Sequence, residues 1–527
     1  MKGVNVHLTP DNEPLRAVAS ILARHLRDRA GVELTLDRRR RADLTLVVRR
    51  SLPREGYAIE DAPKSWLRVA GGSPRGLLYG VGALLRTSRF GPEGWTPGAW
   101  RGRSAPAKPF RAIYFATHFH NFYHDAPVEK VERYVEDLGL WGYNAVMVWY
   151  DMHHFQGFDD LEAARMRERL RAILRAARRA GLQTGLTLLA NEGYASTPER
   201  LRLVPPTQIA ARGMYGVEVC PSKPGGEDLI LQNHRASFEA FRDPGIDIVS
   251  IWPYDQGGCG CRGCAPWGAN GFLRIGRRVA SLARATFPGV RVVLSTWLFD
   301  TPQDEGEWRG LSEAMKHRPR WVDMVLADSH TTFPLWPIEH GSPGGLPLVN
   351  FPEISMWGMS PWGGRGANPL PARFEALWRS AADRLSGGFP YSEGIFEDIN
   401  KAVYSRFYWS PATPGLDAVR EYAAFEFGPP AADDVVAAVK IMEANHTLPA
   451  VDAGSAESLR RLDAAAERMT ASARSSWRWR ILYLRAVLDR EHYAAPGART
   501  RRCEEALREL IAIYHAERAE PPVRPPL

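Results

Sequence analysis

Acidic, imidazole and aromatic side chains recur in this 527-residue chain directly after short apolar runs. His118 and His120 follow the first run. Asp151 follows the second, with His153 and His154 close behind, and Asn191 and Glu192 follow the third. Later runs end in Trp252-Pro253-Tyr254-Asp255, in Trp297 and Asp300, in Asp328 and His330, in Asn350 and Glu353, and in Tyr391, Glu393, Glu397 and Asp398. Carboxylates grouped with flat aromatic faces suit cleavage of a glycosidic bond. That reaction needs an acid for the leaving oxygen and a carboxylate facing the anomeric carbon or its attacking water. The leading catalytic pair is Asp255 and Glu353. Asp255 follows Trp252 and Tyr254, an apolar setting that raises a carboxyl pKa toward a general acid's range. Glu353 lies in Asn350-Phe351-Pro352-Glu353-Ile354, where the proline stiffens the backbone. Glu393 and Glu192 stand in reserve for either role. Trp252, Tyr254, Trp297, Trp357 and Tyr391 are expected to stack on or shape the sugar sites. His118, His120, Asp151, Glu192, His330 and Asn350 are expected to bind hydroxyls.

Groups this far apart in sequence need a scaffold that gathers strand ends. Apolar strand-like runs lie at 112–118, 145–151, 184–192, 246–255, 290–300, 322–330, 346–353 and 388–393, with helical periodicity between most of them, as at 128–142, 161–181 and 271–287. Eight strand-then-helix units predict a (β/α)8 TIM barrel, whose catalytic groups belong at the C-terminal strand ends. An open doubly wound sheet would want a glycine-rich turn after its first strand, and Thr117-His118-Phe119-His120 is not one. Before the barrel, strands at 4–8, 32–36, 44–48, 57–60 and 65–70 alternate with helices at 14–29 and 74–85. The second helix has Ser73 as N-cap and Pro74 at its first position. The expected architecture is a small α/β domain over 1–105, a catalytic barrel over 106–405 and a helical C-terminal domain over 406–527, with a Gly/Pro/Trp-rich connector at 91–109.

Composition narrows the class. Hydrophobic residues make up 45% and charged residues 24%, as in an ordinary folded protein. No apolar run approaches the ~20 residues of a membrane span, and the chain opens directly into strand-like sequence without a leader pattern, so a cytoplasmic protein without membrane partners is expected. The net charge of +8 comes mostly from arginines scattered over helix surfaces, which argues against a nucleic-acid partner. The 17 Trp and 17 Tyr, many beside carboxylates and histidines, fit an oligosaccharide or glycoside substrate better.

Ala70-Gly71-Gly72-Ser73-Pro74-Arg75-Gly76-Leu77-Leu78-Tyr79-Gly80 resembles the end of the non-catalytic domain that precedes the barrel in family 20 β-hexosaminidases and family 67 α-glucuronidases. Trp252-Pro253-Tyr254-Asp255-Gln256-Gly257-Gly258-Cys259-Gly260-Cys261-Arg262-Gly263-Cys264 resembles the Asp-Gly-Cys-x-Cys-x-x-Cys stretch of bacterial hexosaminidase-like proteins with a family 163-type barrel. The resemblance implies a glycoside hydrolase with this domain order. Family 20 enzymes carry an Asp-Glu pair after the fourth strand, and the corresponding pair here is Asp255-Gln256. An amide does not donate a proton as an acid does, so the substrate-assisted scheme of that family needs another glutamate here.

Cys259, Cys261 and Cys264, with Cys220, are candidate ligands of a structural zinc; a disulfide within the loop or reduced thiols packing it are the alternatives. No cofactor is expected in catalysis itself. Two rival functions remain in view. The His118-x-His120 pattern also opens metal-dependent amidohydrolase barrels, with His330 and Glu393 as later ligands, although the fifth strand offers no histidine. A non-catalytic carbohydrate-binding barrel is the other. The reading favoured by the residues is a glycosidase, exo-acting on oligosaccharides and β-N-acetylhexosaminidase-like.

Overall fold

The computed structural model describes residues 3–37, 42–63, 65–91, 93–117, 120–204, 217–253, 258–300, 305–354, 368–446 and 452–519. The N-terminal strands β1 (Gly3–Thr9), β2 (Glu33–Leu36), β3 (Leu44–Val48), β4 (Tyr57–Ala62) and β5 (Ser65–Gly71) form one sheet in the order β2-β1-β3-β5-β4. The segment read as a connector carries short strands. It holds a hairpin of β6 (Arg89–Gly91) and β7 (Gly94–Thr96), and the edge strand β8 (Gly102–Ser104), which pairs antiparallel with β4. Two helices pack on this sheet. Glu13–Ala30 is capped by Asn12 Oδ1, which accepts from Leu15 N at 3.2 Å. Pro74–Thr87 is capped by Ser73 Oγ, which accepts from Gly76 N at 3.2 Å.

Eight parallel strands then close a barrel. They are β9 (Phe110–Phe115), β10 (Ala145–Trp149), β11 (Gln183–Leu189), β12 (Ile248–Trp252), β13 (Arg291–Ser295), β14 (Met324–Asp328), β15 (Leu348–Phe351) and β16 (Leu385–Gly388), with β16 returning to β9. The eighth strand is broken where one run was expected. Pro390 has no N–H for the ladder, and pairing with β9 resumes in β17 (Tyr391–Ser392). Side chains alternate across each strand. Phe110, Ala112, Tyr114, Met147, Trp149, Val293, Leu326, Val349 and Phe351 fill the interior, while Ile113, Phe115, Val146, Val148 and Leu348 face the surrounding helices. This two-layer core is the (β/α)8 barrel read from the sequence.

Helix Asp398–Trp409 follows the last strand, and Gly415–Glu426, Ala432–Ala444, Ser455–Glu467, Trp477–Ala494 and Arg501–Tyr514 form a helical region packed back on the barrel. Buried Arg478 joins the two, donating to Asp398 Oδ2 at 2.8 Å and to Asp137 Oδ2 at 2.9 Å. Among the described residues no helix is long and apolar enough to cross a membrane.

Candidate active site

The described C-terminal strand ends hold acidic, imidazole and aromatic side chains, which the fold sorts into distinct clusters. The first is built on β10 and β11. Asp151, 4% exposed, pairs through Oδ1 with His153 Nδ1, and its Oδ2 lies 3.1 Å from His154 Nε2. Fully buried Glu192 accepts from His153 N at 3.3 Å and lies 3.3 Å from His153 Nδ1; its other oxygen accepts from Trp149 Nε1 at 3.4 Å. Burial disfavours the imidazolium, but the hydrogen bonds of Asp151 and Glu192, with the Asp151 charge, outweigh it and push the His153 pKa up to about 10. Burial also disfavours the Asp151 carboxylate, yet the two histidines hold its pKa well below the usual range. Glu192 moves the other way. Burial, reinforced by the Asp151 charge, raises its pKa well above that of a free glutamate, so it favours the protonated acid.

The second cluster spans β14 to β17. Glu353, 3% exposed, forms a backbone bridge with Tyr391, and its Oε2 lies 3.8 Å from His330 Nδ1. Burial, with a smaller contribution from Arg373, lowers the His330 pKa to about 4, so a neutral ring faces Glu353 at neutral pH. Glu393 Oε1 accepts from Tyr391 OH at 2.7 Å, and Glu393 N donates to Glu397 Oε1 at 2.6 Å. Glu397 is not itself at the mouth. It accepts from Ser392 Oγ at 2.6 Å and pairs with buried Lys401 at 3.0 Å, which anchors the turn that carries Glu393.

Between these clusters lies an aromatic floor. Trp252 packs edge-on against Phe351 at 4.7 Å and tilts against Trp297 at 5.3 Å. Trp297 meets the His330 ring at 5.4 Å, and Tyr391 stacks on Tyr114 at 5.5 Å. Among the described residues the buried indole N–H groups of Trp252 and Trp297 have no hydrogen-bond partner. An unpaired buried donor is costly, and a polar ligand or a water relieves that cost.

Two expected hydroxyl binders sit elsewhere. Asn350 has the outward parity of β15, and its Oδ1 accepts from Tyr408 OH at 2.8 Å on helix Asp398–Trp409. The inward places beside it belong to Val349 and Phe351, so Asn350 braces the barrel wall instead of lining the mouth. His120 has a left-handed backbone, φ 49°; it stacks on His124 at 4.2 Å and lies 3.5 Å from Asp125 Oδ2. That cluster stays within the loop after β9. Among the described residues His330 does not join it, unlike the gathered ligand set of an amidohydrolase. His118, Tyr254, Asp255, Gln256 and Trp357 lie outside the described residues. The thiols of Cys220, Cys259, Cys261 and Cys264 meet beside the loops after β11 and β12, with all five cysteines of the chain free.

Sequence reasoning passed over Glu218. Its Oε2 accepts from Gly258 N at 2.9 Å, and its backbone bridges Glu192, so it links the ends of the third and fourth barrel strands. The alternation in Val217-Glu218-Val219-Cys220 was the available signal of an extended segment there.

No protein-family model matches the chain, and no curated protein matches it. Its fold is similar to that of a family GH115 4-O-methyl-α-glucuronidase with specificity for decorated arabinogalactans, at 12% identity and a TM-score of 0.63, over 97% of this chain and 76% of that one. It is similar also to the GH20 β-N-acetylhexosaminidase from Streptomyces coelicolor A3(2), at 17% identity and a TM-score of 0.58, over 82% of this chain and 92% of that one. A family 89 glycoside hydrolase from Clostridium perfringens matches at 10% identity and a TM-score of 0.60, over 95% of this chain and 64% of that one. At these identities the likeness is one of fold.

Proposed function

We propose that this protein is a glycoside hydrolase that cleaves a glycosidic bond at the C-terminal mouth of its barrel through two carboxyl groups. The observation that carries the reading is the set of buried carboxyl groups of Asp151, Glu192, Glu353 and Glu393 around a floor that includes Trp252, Trp297 and Tyr391. The likeness in fold to glycosidases of several families supports it. Glu353 is the carboxylate that faces the anomeric carbon or its attacking water, with neutral His330 beside it. Asp255, three positions past the end of β12, is the leading acid for the departing oxygen. Glu192, whose environment favours its protonated form, is the reserve acid, and Glu393 with Tyr391 is the reserve carboxylate. The two roles are distinct. The acid transfers its proton to the leaving oxygen as the glycosidic bond breaks, and the other carboxylate either forms the glycosyl bond or deprotonates water. The finer part of the proposal is exo-action on oligosaccharides with hexosaminidase-like preference.

A panel of aryl glycosides including the N-acetylglucosaminide, N-acetylgalactosaminide and glucuronide, with the product anomer read by NMR, tests activity, preference and stereochemistry together. Glu353→Gln and Asp255→Asn are each expected to lower kcat/KM on the cleaved glycoside by about 10²-fold or more. Full kcat/KM in both variants would overturn the pair. Loss in Glu192→Gln with Asp255→Asn unaffected would move the acid role to Glu192.

A further inference from the structure

We propose that Cys220, Cys259, Cys261 and Cys264 form a closed four-thiolate zinc site that clamps together the loops following β11 and β12. Three of these cysteines lie within six residues of one another, but Cys220 is 41 positions from Cys261, so only folding unites the four. Their sulfur atoms all lie within 4.8 Å of one another. Cys220 Sγ is 3.7 Å from Cys261 Sγ and 3.9 Å from Cys264 Sγ. A tetrahedron with metal–sulfur bonds of ~2.3 Å has sulfur–sulfur edges of about 3.8 Å, the spacing of these two pairs. A disulfide needs sulfurs ~2.05 Å apart and would use them only in pairs.

The surroundings fit a structural ion rather than a catalytic one. Cys220 and Cys264 are fully buried and Cys259 is 1% exposed, which suits full protein coordination without an open position for substrate. Four thiolates around one Zn²⁺ leave a net double negative charge. Arg274 answers it: its Nη2 is 3.8 Å from Cys264 Sγ and donates to Ser222 Oγ at 2.6 Å, and that hydroxyl lies 3.1 Å from the same sulfur. Thiols are weak hydrogen-bonding groups, so four of them converging, three buried and Cys261 partly exposed, gain little from each other. Metal binding releases their protons to solvent and replaces weak contacts with strong bonds.

The clamp bears on the mouth. Val219, next to Cys220, donates its N–H to Asn191 O at 2.8 Å, and Asn191 Nδ2 returns a bond to Val219 O at 2.9 Å, beside Glu192. On the other arm Gly258, next to Cys259, donates to Glu218. The ion therefore acts by positioning, through two rim segments, and touches no reacting atom.

Full-length protein purified without chelator is expected to carry about one zinc per chain by inductively coupled plasma mass spectrometry. Cys220→Ser and Cys264→Ser should lose it, and Cys503→Ser, at a thiol remote from the cluster, should keep it. A ligand variant that fails to fold would lose metal trivially, so wild-type protein is also exchanged with Co²⁺. Intense visible d–d bands with near-ultraviolet sulfur-to-cobalt charge transfer would report tetrahedral thiolate coordination. Folded wild-type protein free of metal after growth in zinc-rich medium, a weak octahedral cobalt spectrum, or zinc retained by the Cys220→Ser/Cys264→Ser double variant would each overturn the proposal.

Discussion

His153 is the charge that lets two buried carboxyl groups share one corner of the barrel mouth. Its ring lies between Asp151 and Glu192, and removing it takes from Asp151 the partner that balances its charge. Breaking a buried pair in this way costs about 3 kcal/mol or more, so His153→Gln should lower the stability of the chain by that order. The pH dependence has a definite sign. The His153 pKa is raised, so its contribution is complete below about pH 6.5 and fades as pH rises through about 10. The Asp151 pKa is depressed, so its contribution is complete above about pH 4 and is lost on acidification. Thermal melts of wild type and His153→Gln should therefore differ most between about pH 4 and 6.5 and converge toward pH 10. A difference that grew with alkalinity would contradict the pairing. His153 also shows what residue types alone conceal. It stands two positions after Asp151 and is one more histidine near a strand end until the fold turns its ring toward two carboxyl groups.

Closure of the barrel depends on one backbone approach. Where β16 returns to β9, Gly387 has φ 123°, and a Cβ there would stand 1.7 Å from the carbonyl oxygen of Phe110. Backbone cannot swing aside as a side-chain tip can. Gly387→Ala should destabilise the protein by about 2 kcal/mol or more, read by denaturant unfolding, with Gly341→Ala, at a similarly left-handed but open position, as the milder control. Equal effects of the two would show that backbone conformation, not the contact with β9, sets the cost. Alternation within the elements also separates site residues from wall residues. Phe351 and Val349 point inward and Asn350 outward, a difference of one position that strand-end counting overlooks.

At the scale of the molecule, the N-terminal sheet is docked beneath the barrel by charge as well as by apolar packing. Arg111, fully buried at the start of β9, donates to Glu55 Oε2 at 2.7 Å, to Gly142 O at 2.8 Å and to Lys108 O at 2.8 Å. Arg75 joins the same glutamate at 2.8 Å and donates to Gly181 O at 2.6 Å, while Tyr79 OH donates to Tyr143 O at 3.1 Å. Both Arg75 and Tyr79 belong to the Ala70–Gly80 stretch singled out in the sequence, and their partners precede barrel strands. That stretch is a docking device on the face opposite the mouth. Burial alone would raise the Glu55 pKa, but the two arginines hold it below the ordinary range. Arg111→Met should cost about 3–5 kcal/mol in unfolding free energy by taking one of the two arginines from Glu55, and a cost under about 1 kcal/mol would show that apolar packing carries the junction. The sequence by itself determined the barrel, since short apolar runs alternating with amphipathic helices admit few other burials, and it located carboxyl and aromatic groups at the strand ends. It also marked Ser73 and Pro74 as a helix start, because capping is a local interaction. Tertiary structure decided which of those groups converge. The pairing of His153 with Asp151 and Glu192, the turning of Asn350 to the wall and the meeting of Cys220 with a loop 41 positions away depend on strand parity and loop path. These are long-range properties, set by how the whole core packs and not by any local spacing.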